Sequence, residues 1–130
     1  MRKEYLVTGA AGHLGLTVTQ ALLKRGESVR ILVLPTDANA PQLPQGVRVY
    51  TGDVRDPVTL VPCFTTDTGT SLTVVHCAGI VTIASQYQQA VYDVNVTGTK
   101  NIVDMCVAHS VAKLLYVSSV HAFAHQRLER

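Results

Sequence analysis

The sequence contains no tryptophan, only two phenylalanines and five tyrosines, and charged side chains make up just 15% of its 130 residues. So few aromatics, set against abundant aliphatic residues, suit buried Val, Leu and Ile strands covered by helices on both faces. Basic charge is scarce as well. The formal net charge is +2, and Lys24, Arg25, Arg127 and Arg130 form no stripe, which argues against a nucleic-acid partner. Cysteine occurs three times, at Cys63, Cys77 and Cys106, without CxxC spacing. An odd number in apolar surroundings reads as reduced thiols in a cytoplasmic protein. His121 and His125 are four apart but have no third ligand within reach, so no metal site is expected. The start, "MRKEYLV", lacks a signal-peptide core and cleavage site. The longest apolar run, Leu72 to Ala84, is interrupted by His76 and Gly79 and is too short to cross a bilayer, so no membrane partner is expected. No repeat or low-complexity tract is present. The length fits one domain over residues 1–124, followed by a polar tail at 125–130.

What the sequence does contain is alternation. Five short, β-branched, apolar runs read as strands: Tyr5 to Thr8, Val29 to Leu34, Val47 to Thr51, Leu72 to Cys77 and Leu114 to Val117. Between them, helices are expected from Gly12 to about Arg25, with Leu14, Val18, Ala21 and Leu22 on one face and Gly26 as the stop, and from Pro57 to Phe64, capped by Asp56. A third helix is expected from Ala84 to His109, with Val91, Val94, Ile102, Met105, Cys106 and His109 at helical spacing. Pro35 to Gly46 holds three of the five prolines and reads as a loop with at most one helical turn. This order predicts βαβ units, hence an α/β fold built on a doubly wound parallel sheet.

The stretch "LVTGAAGHLG" carries a strand into three glycines spaced by three, Gly9, Gly12 and Gly15. At the end of a parallel strand, the first glycine permits a tight turn, the second lets backbone approach a pyrophosphate, and the third lets helix and strand pack closely. Phosphates would then face the free N–H groups and positive dipole end of the following helix. Together with "GDVRD" at Gly52 to Asp56, "HCAGIV" at His76 to Val81, "VNVTGTKNIVDMC" at Val94 to Cys106 and "YVSSV" at Tyr116 to Val120, this run resembles the short-chain dehydrogenase/reductase superfamily. The closer likeness is to its extended branch of epimerases, dehydratases and dihydroflavonol-type reductases.

The resemblance implies a Rossmann-type fold that binds NAD or NADP, and it assigns roles by position. Gly9, Gly12 and Gly15 match the phosphate-loop glycines, with Ala11, His13 and Leu14 lending backbone to the same turn. Asp53 matches the aspartate that bonds the adenine amino group, with Val54 beside it; the bare residue pattern equally allows Asp53 to be a turn cap. Cys77, Ala78 and Gly79 match the segment that passes the cofactor riboses, whereas His76 reads as a strand-end residue. Asn95 matches an asparagine that helps hold the active-site side of the cofactor, against the alternative of an ordinary polar helix residue. Ser119 matches the serine that polarises the substrate oxygen, and Ser118 lends backbone near the nicotinamide.

Two features depart from the family pattern. The residue four after each of Tyr5, Tyr50, Tyr87, Tyr92 and Tyr116 is Gly9, Val54, Val91, Val96 and Val120, so the superfamily's Tyr/Lys proton-transfer pair is absent. The expected whole is therefore a larger enzyme of which this is the amino-terminal part. It would act on a hydroxyl- or carbonyl-bearing carbon of a small molecule, with nucleotide sugars among the candidates. A non-catalytic dinucleotide-binding module is the alternative, and self-association through an incomplete sheet is a third reading. The second departure lies at the end of the second strand. Val33 and Leu34 occupy the places where acidic or arginine side chains commonly distinguish NAD from NADP. Asp37 favours the former and Thr36 the latter, and the choice stays open.

Overall fold

The computed structural model describes residues 2–77 and 93–117. In chain order these form β1 (Arg2–Thr8), α1 (His13–Lys24), β2 (Ser28–Val33), a 3₁₀ turn (Pro35–Asp37) and β3 (Arg48–Thr51). A second 3₁₀ turn (Pro57–Leu60) then runs into the short α2 (Val61–Phe64) and β4 (Thr70–His76). A π-helical turn (Asp93–Gly98) leads into α3 (Thr99–Ala108), and β5 (Lys113–Tyr116) closes the order. All strands are parallel, in the order β3-β2-β1-β4-β5. This is the Rossmann-type α/β sheet that the alternating pattern predicts. Thr8 stands opposite Leu32 on one side and His76 on the other. The three central strands thus finish nearly level, and the connections that follow them leave from one rim.

Side chains alternate across the sheet with the strand period of two. Leu6, Leu32, Leu72 and Val74 face α2 and α3 and pack with Leu60, Phe64 and Ile102. Tyr5, Val7, Ile31 and Val75 face the other way and pack with Leu22 of α1. Full burial of side chains such as Phe64 and Ile102 contributes about 1.5–3 kcal/mol each.

The structure revises the expected face of α1. Leu14 and Ala21 are exposed, and the buried stripe is Gly15, Thr19 and Leu22. Close contact between Gly15 and the backbone of Gly9 sets the helix's rotation. Thr19 can be buried because its hydroxyl donates to the Gly15 carbonyl at 2.8 Å. The end of α1 follows the glycine signal. Gly26 adopts φ 82°, its N–H donates to the Leu23 carbonyl, and the N–H of Glu27 donates to that of Leu22, which satisfies carbonyls the helix would leave bare.

The helix expected at Pro57 to Phe64 is divided. Asp56 caps it by accepting from the Val58 N–H. Pro62, however, has no N–H to return to the Val58 carbonyl, which instead receives the Val61 N–H in 3₁₀ fashion. The third expected helix is likewise not uniform, because Asp93–Gly98 is wound as a π turn before α3 begins. Residues 84–92 of that span lie outside the described residues.

β1 starts at Arg2, three residues earlier than the apolar run suggests, and its extra length holds a buried charge network. Glu4 and Arg30 are 2% and 4% exposed, and Arg30 Nε donates to Glu4 Oε1 at 2.7 Å. Arg48 and Arg2 also donate to the Glu4 carboxylate, at 3.0 and 3.1 Å. Arg30 Nη1 donates to the carbonyls of Cys63 and Thr65, fastening the end of α2 to the sheet. Burial alone would raise the Glu4 pKa, but Arg30 and Arg48 together outweigh it and hold the carboxyl below its ordinary value.

Candidate functional site

Beyond the carboxyl rim of the sheet lies a groove of about 250 Å³, where ligands of open parallel sheets are generally held. Gly9, Ala11 and Gly12 form one wall. Gly9 leaves β1 at φ 65°, and the Gly12 N–H donates to its carbonyl at 3.1 Å, closing a tight turn. Gly12 then precedes α1 in extended geometry, with φ −78° and ψ 166° that any residue can adopt. Among the described residues no side chain caps α1, and its first turn holds no acidic residue. The helix thus presents N–H groups and the positive end of its dipole toward this rim.

The glycines divide by function. A Cβ on Gly15 would lie 2.8 Å from the Gly9 carbonyl carbon and 2.9 Å from Ala10 Cα, so that glycine is required by helix–strand contact. A Cβ on Gly12 would meet only the Gly9 carbonyl oxygen, at an ordinary 3.4 Å. The fold itself therefore does not demand glycine at position 12. His13 and Leu14 stand on the exposed side of the first turn.

The facing wall comes from the ends of β2 and β3. Leu32, Val33, Leu34 and Asp37 contribute from the first, and Gly52, Asp53, Val54 and Arg55 from the second. The Asp53 carboxylate is gripped by Arg55. It accepts the Arg55 backbone N–H at 2.9 Å, Nε at 3.0 Å and Nη2 at 2.6 Å. The Arg55 side chain is the main reason the Asp53 carboxyl is held below its ordinary pKa, against the opposing effect of burial. Thr59 Oγ1 accepts the Asp53 N–H at 2.9 Å, locking the loop. Val54 both lines the groove and packs in the core, and its carbonyl accepts the Asn101 Nδ2 at 2.9 Å.

Cys77 closes the groove after β4, and Val94 of the π turn reaches it from the far side. Asn95, the next residue, is half-buried. Ala78, Gly79, Ser118 and Ser119, together with the pair His121 and His125, lie outside the described residues. The residue pattern did not single out Leu32, Gly52, Arg55 or Val94. The findable signal was their position at or just past strand ends, and for Arg55 its place two residues after an aspartate.

His76 is buried at this rim, bonded to Thr8 Oγ1 through Nδ1 at 2.8 Å and to Thr99 Oγ1 through Nε2 at 3.1 Å. Thr8 Oγ1 also accepts the Cys77 N–H at 2.9 Å. This links the residue before Gly9 to the start of α3, and burial pushes the His76 pKa down to about 4. The histidine is a neutral brace. Unfolded, it would bind a proton near pH 6.5; folded, it resists until about 4, so its contribution to stability is lost as pH falls through that window. At pH 5 the loss is about 2 kcal/mol relative to pH 7.5. Urea unfolding at both values should show that the parent falls by about this much more than a His76→Gln variant.

A parallel sheet in the order 3-2-1-4-5, with a glycine turn from its central strand into a helix and a groove beyond the rim, defines a Rossmann-type α/β protein. The chain belongs to the 3-beta hydroxysteroid dehydrogenase/isomerase family, whose model matches residues 6–129. It is 32% identical over 118 residues to short-chain dehydrogenase/reductase family 42E member 1 of Danio rerio, covering 89% of this chain and 29% of that protein. It is also 32% identical over 120 residues to a UDP-glucose 4-epimerase of Halalkalibacterium halodurans, covering 91% and 35%. The Thermus thermophilus UDP-glucose 4-epimerase, solved in complex with NAD, superposes with a TM-score of 0.74 at 27% identity, covering 85% of this chain and 36% of that one. The chain thus spans about a third of the length of these curated relatives. Among the described residues, no helix is long and apolar enough to cross a membrane.

Proposed function

We propose that this chain forms the dinucleotide-binding part of an NAD(P)-dependent oxidoreductase or epimerase/dehydratase. Its substrate would be a small molecule with a hydroxyl- or carbonyl-bearing carbon, nucleotide sugars included. The observation that carries this reading is Gly12, a residue whose side-chain space is open on the protein side, at the uncapped start of α1, on the groove wall. A bare backbone with unused donors fits a pyrophosphate. The UDP-glucose 4-epimerase solved with NAD supports the same reading.

In this reading Gly9, Ala11 and Gly12 admit the phosphates, with N–H groups from His13, Leu14 and Gly15 directed at the anion. Leu32, Val54 and the apolar stem of the β2 end enclose the adenosine, and the Asp53 carboxylate, kept ionised by Arg55, accepts from the adenine amino group. Cys77, Ala78 and Gly79 pass the riboses, and Asn95 and Ser118 steady the far end. A bound nicotinamide supplies a hydride donor or acceptor. Ser119 donates a hydrogen bond to the substrate oxygen and so polarises its carbon. A cytoplasmic setting fits the three free cysteines. Burial raises the pKa of each, that of Cys63 to about 12, which makes them poor thiolate nucleophiles.

Isothermal titration of the chain with NAD and with NADP tests the reading, and a well-folded sample that binds neither overturns it. In the same assay Gly12→Val is expected to lose at least tenfold in affinity, about 1.4 kcal/mol, while its ligand-free thermal midpoint stays within a few degrees of the parent's. Equal affinity in the two proteins would show that Gly9 to Gly15 is only a turn.

A further inference from the structure

We propose that Asn101 is a positioning residue that aims the Asp53 carboxylate at the base of a bound dinucleotide, acting through the peptide between Val54 and Arg55; this rests on the dinucleotide reading above. The loop after β3 carries Asp53, Val54 and Arg55, and several of its bonds tie it to itself or to β2. The Gly52 N–H donates to the Val33 carbonyl at 3.0 Å, and the Asp56 N–H to the Asp53 carbonyl at 2.9 Å. The Val54 carbonyl is held from another layer. It accepts Asn101 Nδ2 at 2.9 Å, from 47 positions away along the chain.

That carbonyl and the Arg55 N–H belong to one planar trans peptide and point in opposite directions. The N–H donates to Asp53 Oδ1 at 2.9 Å. Asn101 thus fixes the plane on one side, while the plane holds the carboxylate on the other. The support is itself firm, because Thr99, in the same first turn of α3, bonds the buried His76 at 3.1 Å. Ile102, the next residue, is wholly buried in the core cluster that holds Val54. The Arg55 side chain also reaches the carboxylate, yet at 45% exposure it meets water and supplies charge more than aim. A neutral amide at position 101 suits this task, because it donates to a carbonyl without placing a further charge beside Asp53 and Arg55.

The test is isothermal titration of the whole chain with NAD and with nicotinamide hypoxanthine dinucleotide, with circular dichroism to verify folding. The analogue carries an oxo group where adenine has its amino group, so it offers Asp53 no amino donor. The parent should bind NAD about tenfold tighter than the analogue, and Asn101→Leu should lose about tenfold for NAD but no more than about twofold for the analogue. Asn101→Asp has the shape of the parent residue and no donor at pH 7.5; it should behave alike and serves where Asn101→Leu does not fold. A variant that keeps the parental affinity for NAD overturns the proposal. So does an equal loss on both ligands, which a general loosening of the fold would give. A parent that binds the two ligands equally also overturns it, and leaves the groove's reading intact. Binding of neither by the parent removes the reading of the groove itself, and this proposal with it.

Discussion

Replacing Glu4 with alanine will lower the unfolding free energy by about 3–5 kcal/mol. The carboxylate is the common acceptor for Arg30, Arg48 and Arg2, and its removal leaves three guanidinium groups facing one another. Arg30 is the costly one. At 4% exposure the group can hardly regain water at Nε, and both donors of its Nη1 are committed to the Cys63 and Thr65 carbonyls. An unpaired buried charge is far more expensive than the paired arrangement is favourable, so the loss reports the broken pair and not its net worth. A double variant, Glu4→Leu with Arg30→Met, should recover part of the loss, because two apolar groups of similar bulk need no partner, while the Cys63 and Thr65 carbonyls that Arg30 bonded lose their donor. Urea unfolding free energies for the parent, Glu4→Leu, Arg30→Met and the double variant give the coupling directly. A Glu4→Ala protein within 1 kcal/mol of the parent would mean that water reaches Arg30.

Gly15→Ala should cost about 3 kcal/mol, the upper end of what overpacking by one methyl usually does. The clash is with backbone, at Gly9 and Ala10, and not with the yielding tip of a side chain. Relief requires α1 to move off β1, and α1 supplies Leu22 and Thr19 to the buried face. A fall in thermal midpoint clearly larger than that of Gly12→Val is expected, although the two glycines lie three residues apart in one turn. Similar midpoints for the two variants would contradict the division of labour between them.

The strands of this fold are legible because a parallel strand buried on both faces is apolar along its length, and Tyr5 to Thr8 and Leu72 to Cys77 show that plainly. Glu4 was hidden for the same reason: its burial depends on Arg30, twenty-six positions away, which no local pattern reveals. The rotation of α1 misled in a similar way. Leucine count favours the face with Leu14, whereas the helix turns on the residue with no side chain. The π turn at Asp93–Gly98 has no periodic signature separable from a helix at that length. For the site, spacing disclosed the glycine turn and strand order disclosed the rim. The grip of Arg55 on Asp53 and the return of Asp37 to the wall depend on loop geometry, and the pattern left Asp37 and Thr36 as equals.

Because every strand points the same way, the two rims of the sheet have separate fates. Glu4 and Thr8 are four residues apart in β1, about 13 Å of strand, which exceeds the length of about 8 Å over which the exposed charges of Arg2 and Arg48 are felt at physiological ionic strength. Substitutions that harden or soften the protein through its arginine-bound rim are thus electrically remote from the rim that meets a ligand. Evolution, or an engineer, can retune heat and salt tolerance at one end while leaving molecular recognition at the other as it was.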